Sequence, residues 1–132
     1  MAAPKAEANR ENVAMPQTAP NSPLTAPDIQ SDLIEDLGAD IFEAMVQSLA
    51  RCLTKRLAEI ERAVLSGDHG GLLHAAHDIR GSALNLGFTA IGLAARALEQ
   101  SASSGQIDDQ ACQHLRHAIE QSRAEIPDLR SP

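Results

Sequence analysis

A periodic run of apolar residues between positions 40 and 64 constrains the fold more than any other feature of this chain. Its members recur at intervals of three or four residues, and charged or polar residues fill most of the positions between them. Several of those charges have opposite signs at helical neighbour spacing. The pattern therefore predicts a long amphipathic helix with one buried and one solvated face. The apolar positions are Phe42, Met45, Leu49, Leu53, Leu57, Ile60 and Val64.

Three shorter downstream segments repeat this periodicity and predict three more helices. The chain shows neither strand-like alternation nor an internal repeat. Because short connections make consecutive helices antiparallel neighbours, we predict an all-α antiparallel four-helix bundle with a short extra N-terminal helix and a disordered N-terminal tail. The inward stripes are Leu72, Ala76, Ile79, Ala83 and Leu86; Ile91, Ala94, Ala95, Leu98 and Ala102; and Ala111, Leu115, Ala118, Ile119 and Ile126.

The expected helix ends carry their own residue signals. Gly67 and Gly87 can adopt the left-handed backbone that closes a helix or a turn, and Pro127 cannot continue a helix. Residues 101–105 are small or polar and break the third of the four long helices. The side chains expected to cap helix N-termini are Asp68, Thr89 and either Asp108 or Asp109.

The N-terminal region differs in composition from the rest of the chain. Residues 1–27 are rich in Ala, Pro, Asn and Thr and hold five of the seven prolines, which predicts a disordered tail. Asp28 is then expected to cap a short helix that ends at Gly38 and covers one end of the bundle. We accordingly divide the chain into a tail over 1–27, a bundle over 28–127 and a C-terminal tail over 128–132.

Charge and composition limit the kinds of partner. The net charge of -7 weighs against nucleic acid and anionic membrane surfaces, because both would repel the average surface of the protein. No apolar run approaches the roughly 18 residues of a membrane span, and no signal-peptide core is present, so we expect a cytoplasmic monomer. Cys52 and Cys112 match no zinc or redox spacing and are expected to be reduced helix residues.

The candidate site lies in the segment from His74 to Gly87. His77 follows the stripe residue Ala76 directly, so it is turned about 100° from the buried stripe and should meet water. Arg80 and Gly81 follow at the three- and four-residue spacings that place them on the same face, one turn on. A glycine inside a helix costs roughly 1 kcal/mol relative to alanine, so a glycine here suggests that another molecule approaches closely.

This pattern, His-x-x-Arg-Gly-Ser-Ala-x-x-Leu-Gly, resembles the signature of histidine-containing phosphotransfer (HPt) domains. The family usually has lysine where this chain has Arg80, which keeps the positive charge but offers a larger, planar donor. Ser66-Gly67-Asp68 looks like the family's inter-helix turn, and Leu98-Glu99 looks like its recurrent Leu-Glu on the following helix. The resemblance covers roughly residues 28–125.

The resemblance implies a phosphoryl carrier in a two-component phosphorelay. The imidazole of His77 would attack the aspartyl-phosphate of one receiver domain and later yield the phosphoryl group to an aspartate of another. Arg80 is expected to stabilise the phosphoryl group. The partners would be receiver domains of response regulators or of a hybrid histidine kinase. We assign partner access and docking to Leu73, Gly81, Ser82 and Leu84.

No cofactor is expected on this chain. The chain has no Walker loop and no glycine-rich ATP lid, so no kinase activity of its own is predicted. The resemblance places the Mg²⁺ of the reaction on the receiver. Ser82 could bond the phosphoryl group or instead the carbonyl four residues earlier. The resemblance implies that Glu99 lies near the histidine face, where it could orient the imidazole, but we expect it to face solvent.

Two other functions fit parts of the sequence. His74 with His77, and His114 with His117, form two His-x-x-His pairs that could together bind zinc or copper. Against this, bundle metal sites use Glu-x-x-His, and no glutamate precedes either pair at that spacing, so no metal site is predicted. The second alternative is a bundle that binds a receiver without phosphotransfer.

Overall fold

The computed structural model describes residues 24–126, which form five α-helices and one 3₁₀ turn and contain no strand. The predicted all-helical fold is confirmed. Residues 1–23 of the predicted tail, and residues 127–132, lie outside the described part of the chain. The helices are α1 (Pro27–Leu37), α2 (Ala39–Ser66), α3 (His69–Asn85), α4 (Thr89–Ser103) and α5 (Asp109–Gln121), followed by the 3₁₀ turn Arg123–Glu125.

Each long helix packs against the next one along the chain, and α1 packs on α2. Helices α2 and α5 also meet, because Arg116 Nη2 lies 2.8 Å from Glu61 Oε2. The core between the helices is mainly aliphatic, with Phe88 as its one buried aromatic side chain among the described residues. Within those residues no helix is long and apolar enough to cross a membrane.

The predicted apolar stripes account for most of this core. Every member of the second and third stripes is buried, from Leu72 to Ala102. In α2 the buried face is rotated slightly from the prediction, because Val46, Ala50 and Ala63 are buried whereas Phe42 and Leu57 are only partly covered. Small side chains on that face allow α2 to approach its neighbours closely.

The connection between α2 and α3 matches its sequence signals. Gly67 ends α2 with a left-handed backbone at φ 72°, where a side chain would be strained. Asp68 caps α3, since its Oδ1 accepts a 2.9 Å hydrogen bond from the backbone N–H of Gly71. A two-residue connection therefore reverses the chain and places α3 beside α2.

Two predicted helix starts are wrong by one or two residues. The N-cap of α1 is Ala26 rather than Asp28, and Pro27 is the first helical residue. Proline suits that position because its fixed φ is helical and its missing N–H would have had no partner there. In α4 the N-cap is Phe88, so Thr89 lies inside the helix and makes no capping hydrogen bond.

The last helix ends earlier than predicted. Asp108 caps α5 as expected, but the α-helix stops at Gln121 and a 3₁₀ turn follows. Ile126 follows the turn with φ -129° and ψ 79°. Its side chain lies in the core, where it is fully buried.

Residues just before α1 contact the turn between α3 and α4. The backbone N–H of Ala26 donates to the carbonyl of Gly87 at 2.7 Å, and the N–H of Ala90 donates to the carbonyl of Leu24 at 3.1 Å. The side-chain amide of Gln30 donates to the carbonyl of Leu86 at 3.1 Å. Sequence composition places residues 24–26 in the tail. The structure shows instead that this segment is hydrogen-bonded to the helical core.

Candidate functional site

Helix α3 presents His77 to solvent, as the stripe predicts. Ala76 and Ile79, on either side of it, are buried, whereas the side chain of His77 is 59% exposed. The long apolar stripe fixes the rotation of α3, and that rotation leaves His77 at the edge that faces α4. An exposed imidazole on a rigid helix can meet a second protein without any rearrangement of the backbone.

Glu99 of α4 connects the imidazole to Arg80. Its Oε2 lies 2.9 Å from His77 Nδ1, and its Oε1 accepts a 2.5 Å hydrogen bond from Arg80 Nε. Arg80 Nη2 also lies 3.0 Å from His77 Nδ1 and 3.5 Å from Glu99 Oε2. Three side chains from two helices therefore form one hydrogen-bonded cluster, the His77 cluster, in which the carboxylate lies between a cation and the imidazole.

The two contacts of His77 Nδ1 favour opposite tautomers of the imidazole. A carboxylate oxygen accepts hydrogen bonds, so the 2.9 Å contact with Glu99 favours a proton on Nδ1, whereas the guanidinium of Arg80 only donates, so its 3.0 Å contact favours a lone pair there. When Nδ1 carries the proton, the lone pair resides on Nε2, which makes no hydrogen bond to any side chain or backbone group of residues 24–126. In that tautomer the nitrogen that can act as a nucleophile is the one outside the cluster.

The carboxylate of Glu99 is charged at neutral pH. Burial on its own would raise the pKa of Glu99, but hydrogen bonds from Arg80 and His77, together with their charges, outweigh it and lower the pKa below its ordinary value. The Glu99 side chain is 20% exposed and that of Arg80 is 31% exposed. The ion pair is consequently better shielded from water than a typical surface pair.

The expectation that Glu99 faces solvent is wrong. Glu99 follows the buried stripe residue Leu98 just as His77 follows Ala76, so both leave their helices at the same offset from the core. Two side chains at matching offsets meet when their helices are neighbours. The shared offset was the one signal in the sequence for a contact between Glu99 and His77. It predicts that contact only if α3 packs beside α4.

Comparison with known proteins decides the family. A family profile for the Hpt domain matches residues 44–125, well over half of the chain. The chain belongs to the Hpt domain family. A search of curated proteins finds no significant match.

A solved structure shares the fold. The chain is similar to histidine-containing phosphotransfer protein B from Pseudomonas aeruginosa PAO1, with a TM-score of 0.75 and 20% sequence identity, over 81% of this chain and 94% of that one. Family and fold together identify a histidine phosphotransfer protein of a phosphorelay. Hpt domains of this kind are phosphoryl carriers rather than kinases, and they act with receiver and kinase domains.

Gly81 of this Hpt domain faces open space. A Cβ built on it would meet no atom within 4 Å outside its own helix. Packing against an adjacent helix, the alternative reason for a glycine here, therefore does not apply. The absence of a side chain leaves the surface beside His77 low and accessible.

The other residues assigned to docking are placed differently. Leu84 lies over α4, where a Cβ on Gly92 would come within 2.5 Å of Leu84 Cγ. Leu73 is partly buried against the core. Ser82 turns towards α2, where the thiol of Cys52 lies 3.9 Å from its hydroxyl, and among the described residues it makes no bond back to the carbonyl of Asp78. Of its two expected arrangements, the bond back to that carbonyl is therefore absent from the described residues, and the bond to a phosphoryl group stays a prediction.

The histidine pairs do not form a metal site in the described residues. No group of three or more His, Cys, Asp or Glu side chains there is close enough to hold a metal ion. His74 instead lies 3.7 Å from Asp78, which is held by Arg56 of α2. His74 accordingly belongs to a charged contact between α2 and α3 rather than to the His77 cluster.

Proposed function

We propose that His77 is the phosphoacceptor of this Hpt domain and that its Nε2 is the reacting atom. The observation that carries the proposal is the 2.9 Å contact between Nδ1 and Glu99, which favours the tautomer with the lone pair on Nε2. In the reaction, Nε2 attacks the phosphorus of an aspartyl-phosphate. The bond from phosphorus to the aspartate oxygen breaks, and the carboxylate leaves with that electron pair.

Glu99 and Arg80 then have complementary roles. Positive charge develops on the imidazole as Nε2 bonds to phosphorus, and Glu99 stabilises it through the proton on Nδ1. Arg80 Nη2 lies 3.0 Å from Nδ1 rather than beside Nε2, so its positive charge acts on the phosphoryl oxygens through space rather than by a direct hydrogen bond. Because Glu99 holds Arg80 through Nε, the guanidinium stays beside the imidazole before the partner arrives.

The receiver approaches over the surface beside His77. Gly81 offers no side chain there, and we place Leu73, Ser82 and Leu84 at the periphery of this contact. The receiver would bring the aspartate and its Mg²⁺, so the Hpt domain itself needs neither ATP nor a bound cofactor. The proposed partners are receiver domains of response regulators or of a hybrid histidine kinase.

We also propose that α2, α3, α4 and α5 form an antiparallel four-helix bundle with α1 as an extra helix. Contacts between consecutive helices, the short connections and the α2–α5 ion pair between Glu61 and Arg116 support this arrangement. The monomeric state and the cytoplasmic location expected from the sequence stay predictions.

Labelling of a His77→Gln variant tests the assignment. Glutamine removes the nucleophile but is tolerated on an exposed helix surface, so we expect loss of the phosphoryl label without loss of helical structure. The measurement is transfer of ³²P from phosphorylated receiver domains of the same proteome, alongside circular dichroism. His74→Gln is the matched control, because His74 is 68% exposed on the same helix, and it should transfer at the parental rate.

Two outcomes would reject this function. Label that persists at another histidine in the His77→Gln variant would move the phosphoacceptor elsewhere. A parental protein that binds a phosphorylated receiver but never becomes labelled would instead favour an interaction module without phosphotransfer.

A further inference from the structure

We propose that Arg56 of α2 controls how readily His77 holds a phosphoryl group, by neutralising the carboxylate of Asp78, the next residue of α3. This inference rests on the proposed function and adds a residue outside the His77 cluster. Within residues 24–126 the side-chain contacts of Arg56 are with Glu59 and Asp78, so Arg56 acts on His77 through the charge of Asp78. With His74 these side chains form a second group, the Asp78 cluster: Arg56, Glu59, His74 and Asp78.

The Asp78 cluster joins α2 to α3, as the His77 cluster joins α3 to α4. Arg56 Nη1 donates a 2.7 Å hydrogen bond to Glu59 Oε1, and Nη2 of the same guanidinium pairs with Asp78 Oδ2. The side chains of Arg56, Glu59 and Asp78 are 20%, 25% and 30% exposed, so water screens their charges less than those of a fully exposed pair. His74 is 68% exposed and lies 3.7 Å from Asp78 Oδ2, so it adds a weaker contact.

The charge of Asp78 lies close to the proposed acceptor atom. Adjacent Cα atoms are about 3.8 Å apart and successive side chains of a helix diverge by about 100°, so roughly 10 Å separates the Asp78 carboxylate from Nε2 of His77. A phosphoryl group on a side chain carries about two negative charges at pH 7. At this separation and at low salt, one uncompensated carboxylate should disfavour a phosphoryl group on His77 by about threefold.

The other arginine near His77 is not available to compensate Asp78. Arg80 donates through Nε to Glu99 at 2.5 Å, so its charge is already balanced by a carboxylate. Two carboxylates therefore lie near His77, Glu99 on α4 and Asp78 on α3, and each is held by its own arginine. Without Arg56, the phosphoryl group would meet the uncompensated charge of Asp78.

Partition of the phosphoryl group at equilibrium measures this effect. The probe is a ³²P-phosphorylated receiver domain that labels the parental protein, and the ratio of labelled Hpt domain to labelled receiver gives the equilibrium constant. We expect Arg56→Gln to lower this constant about threefold and Asp78→Asn to raise it by a similar factor. Asp78→Asn leaves Arg56 paired with Glu59, so it should keep the fold, which circular dichroism checks.

The double variant separates a charge effect from a structural one. Arg56→Gln combined with Asp78→Asn removes the ion pair between α2 and α3 but has the same net charge as the parental cluster. The constant should return to the parental value, because the phosphoryl group then meets the same net charge. If the ion pair only holds the two helices together, the double variant should instead behave as Arg56→Gln does, and that result would overturn the proposal.

A matched control removes an arginine from another ion pair between helices. Arg116 Nη2 lies 2.8 Å from Glu61 Oε2, and this pair joins α2 to α5, neither of which carries a member of the His77 cluster. Arg116→Gln changes the net charge of the molecule as Arg56→Gln does, but its equilibrium constant should equal the parental one. In 1 M salt, where the Debye length is about 3 Å, the differences among the variants should disappear.

Failure of this inference differs from failure of the proposed function. Parental constants in both Arg56→Gln and Asp78→Asn would overturn the inference, as would an equal change in Arg116→Gln, while the parental protein would still be labelled at His77. Failure of the His77 assignment would appear instead as label that persists in His77→Gln, or as a parental protein that is never labelled.

Discussion

At the scale of single residues, environment rather than residue type distinguishes His77 from the other histidines. His74, three residues earlier, is also exposed, but its neighbour is Asp78 at 3.7 Å. His77 instead contacts Glu99 at 2.9 Å and Arg80 at 3.0 Å. His77 thus contacts a carboxylate and a cation directly, whereas His74 lies further from its carboxylate neighbour.

Glu99→Gln should slow phosphotransfer and alter the acid sensitivity of the fold. The amide oxygen can still accept the Nδ1 proton, but it cannot stabilise positive charge on the ring as a carboxylate does. The lowered pKa of Glu99 means that its stabilising contribution is complete above the unfolded-state pKa of about 4.3. That contribution is lost as the pH falls through the folded-state value. The variant should therefore lose less stability than the parent between pH 7 and pH 3.

Urea unfolding of both proteins at the two pH values measures this difference. Arg80→Ala serves as the companion variant, because it removes the larger of the two hydrogen-bond contributions that lower the pKa of Glu99. It should reduce the acid sensitivity in the same direction. An identical loss of stability in the parent and in Glu99→Gln would show that the carboxylate is not held by the cluster in solution.

At the scale of helices, the lack of a side chain serves different purposes at Gly81 and at Gly92. Gly81 of α3 faces open space, whereas Gly92 of α4 lies under Leu84. Gly92 is buried, and the absence of its side chain lets α3 and α4 come together beside the His77 cluster. The close contact between these helices is what brings Glu99 to His77.

Alanine at each position should separate the two roles. Gly81→Ala should leave the free energy of unfolding unchanged or raise it by up to about 1 kcal/mol, because alanine has the higher helix propensity. Phosphotransfer should nevertheless fall. Gly92→Ala should lower stability by about 1–3 kcal/mol, because its Cβ would lie within 2.5 Å of Leu84 Cγ. Thermal unfolding and receiver-dependent labelling measure both quantities.

A double variant provides the control for this pair. Leu84→Ala should recover part of the stability lost in Gly92→Ala, since it removes the atoms that clash. The assignment of Gly81 to partner access would fail if Gly81→Ala transferred phosphoryl groups at the parental rate. The assignment of Gly92 to packing would fail if Gly92→Ala were as stable as the parent.

At the scale of the whole molecule, the segment before α1 is attached to the turn between α3 and α4. Leu24 and Ala26 make backbone hydrogen bonds to Ala90 and Gly87. Gly87 has a φ of 81° and is buried, with Gln30 and the Ala26 carbonyl beside it. The α3–α4 turn is consequently covered by residues that sequence composition alone assigns to the tail.

Two nested deletions test where the stabilising chain begins. Removal of residues 2–23 should leave thermal unfolding unchanged, because this Pro-rich segment has too little apolar surface to offset the entropy of ordering. Removal of residues 2–30 should lower the melting temperature by about 4–8 °C for each kcal/mol lost, since the bonds to Gly87, Leu86 and Ala90 disappear. Equal melting temperatures for both deletions would show that these bonds contribute nothing.

Local sequence determined the helices, the connections and the exposed histidine of this protein. Helical periodicity depends on neighbours three and four residues apart, and Gly67 with Asp68 encode the first long connection by their own backbone and side-chain chemistry. The rotation of α3 followed from its stripe, so His77 could be placed at the surface from the sequence. A resemblance to the HPt signature then predicted the family, which the family profile confirmed.

Only the tertiary structure decided which side chains meet across helices. Glu99 is 22 residues from His77. The apolar periodicity of either helix does not predict that these two side chains face each other. The contact of Leu84 with Gly92 and the attachment of Gln30 to Leu86 likewise join residues from different elements. Such contacts depend on how close two helices come and on their relative rotation. Both are set by packing of the whole core rather than by spacing along one helix.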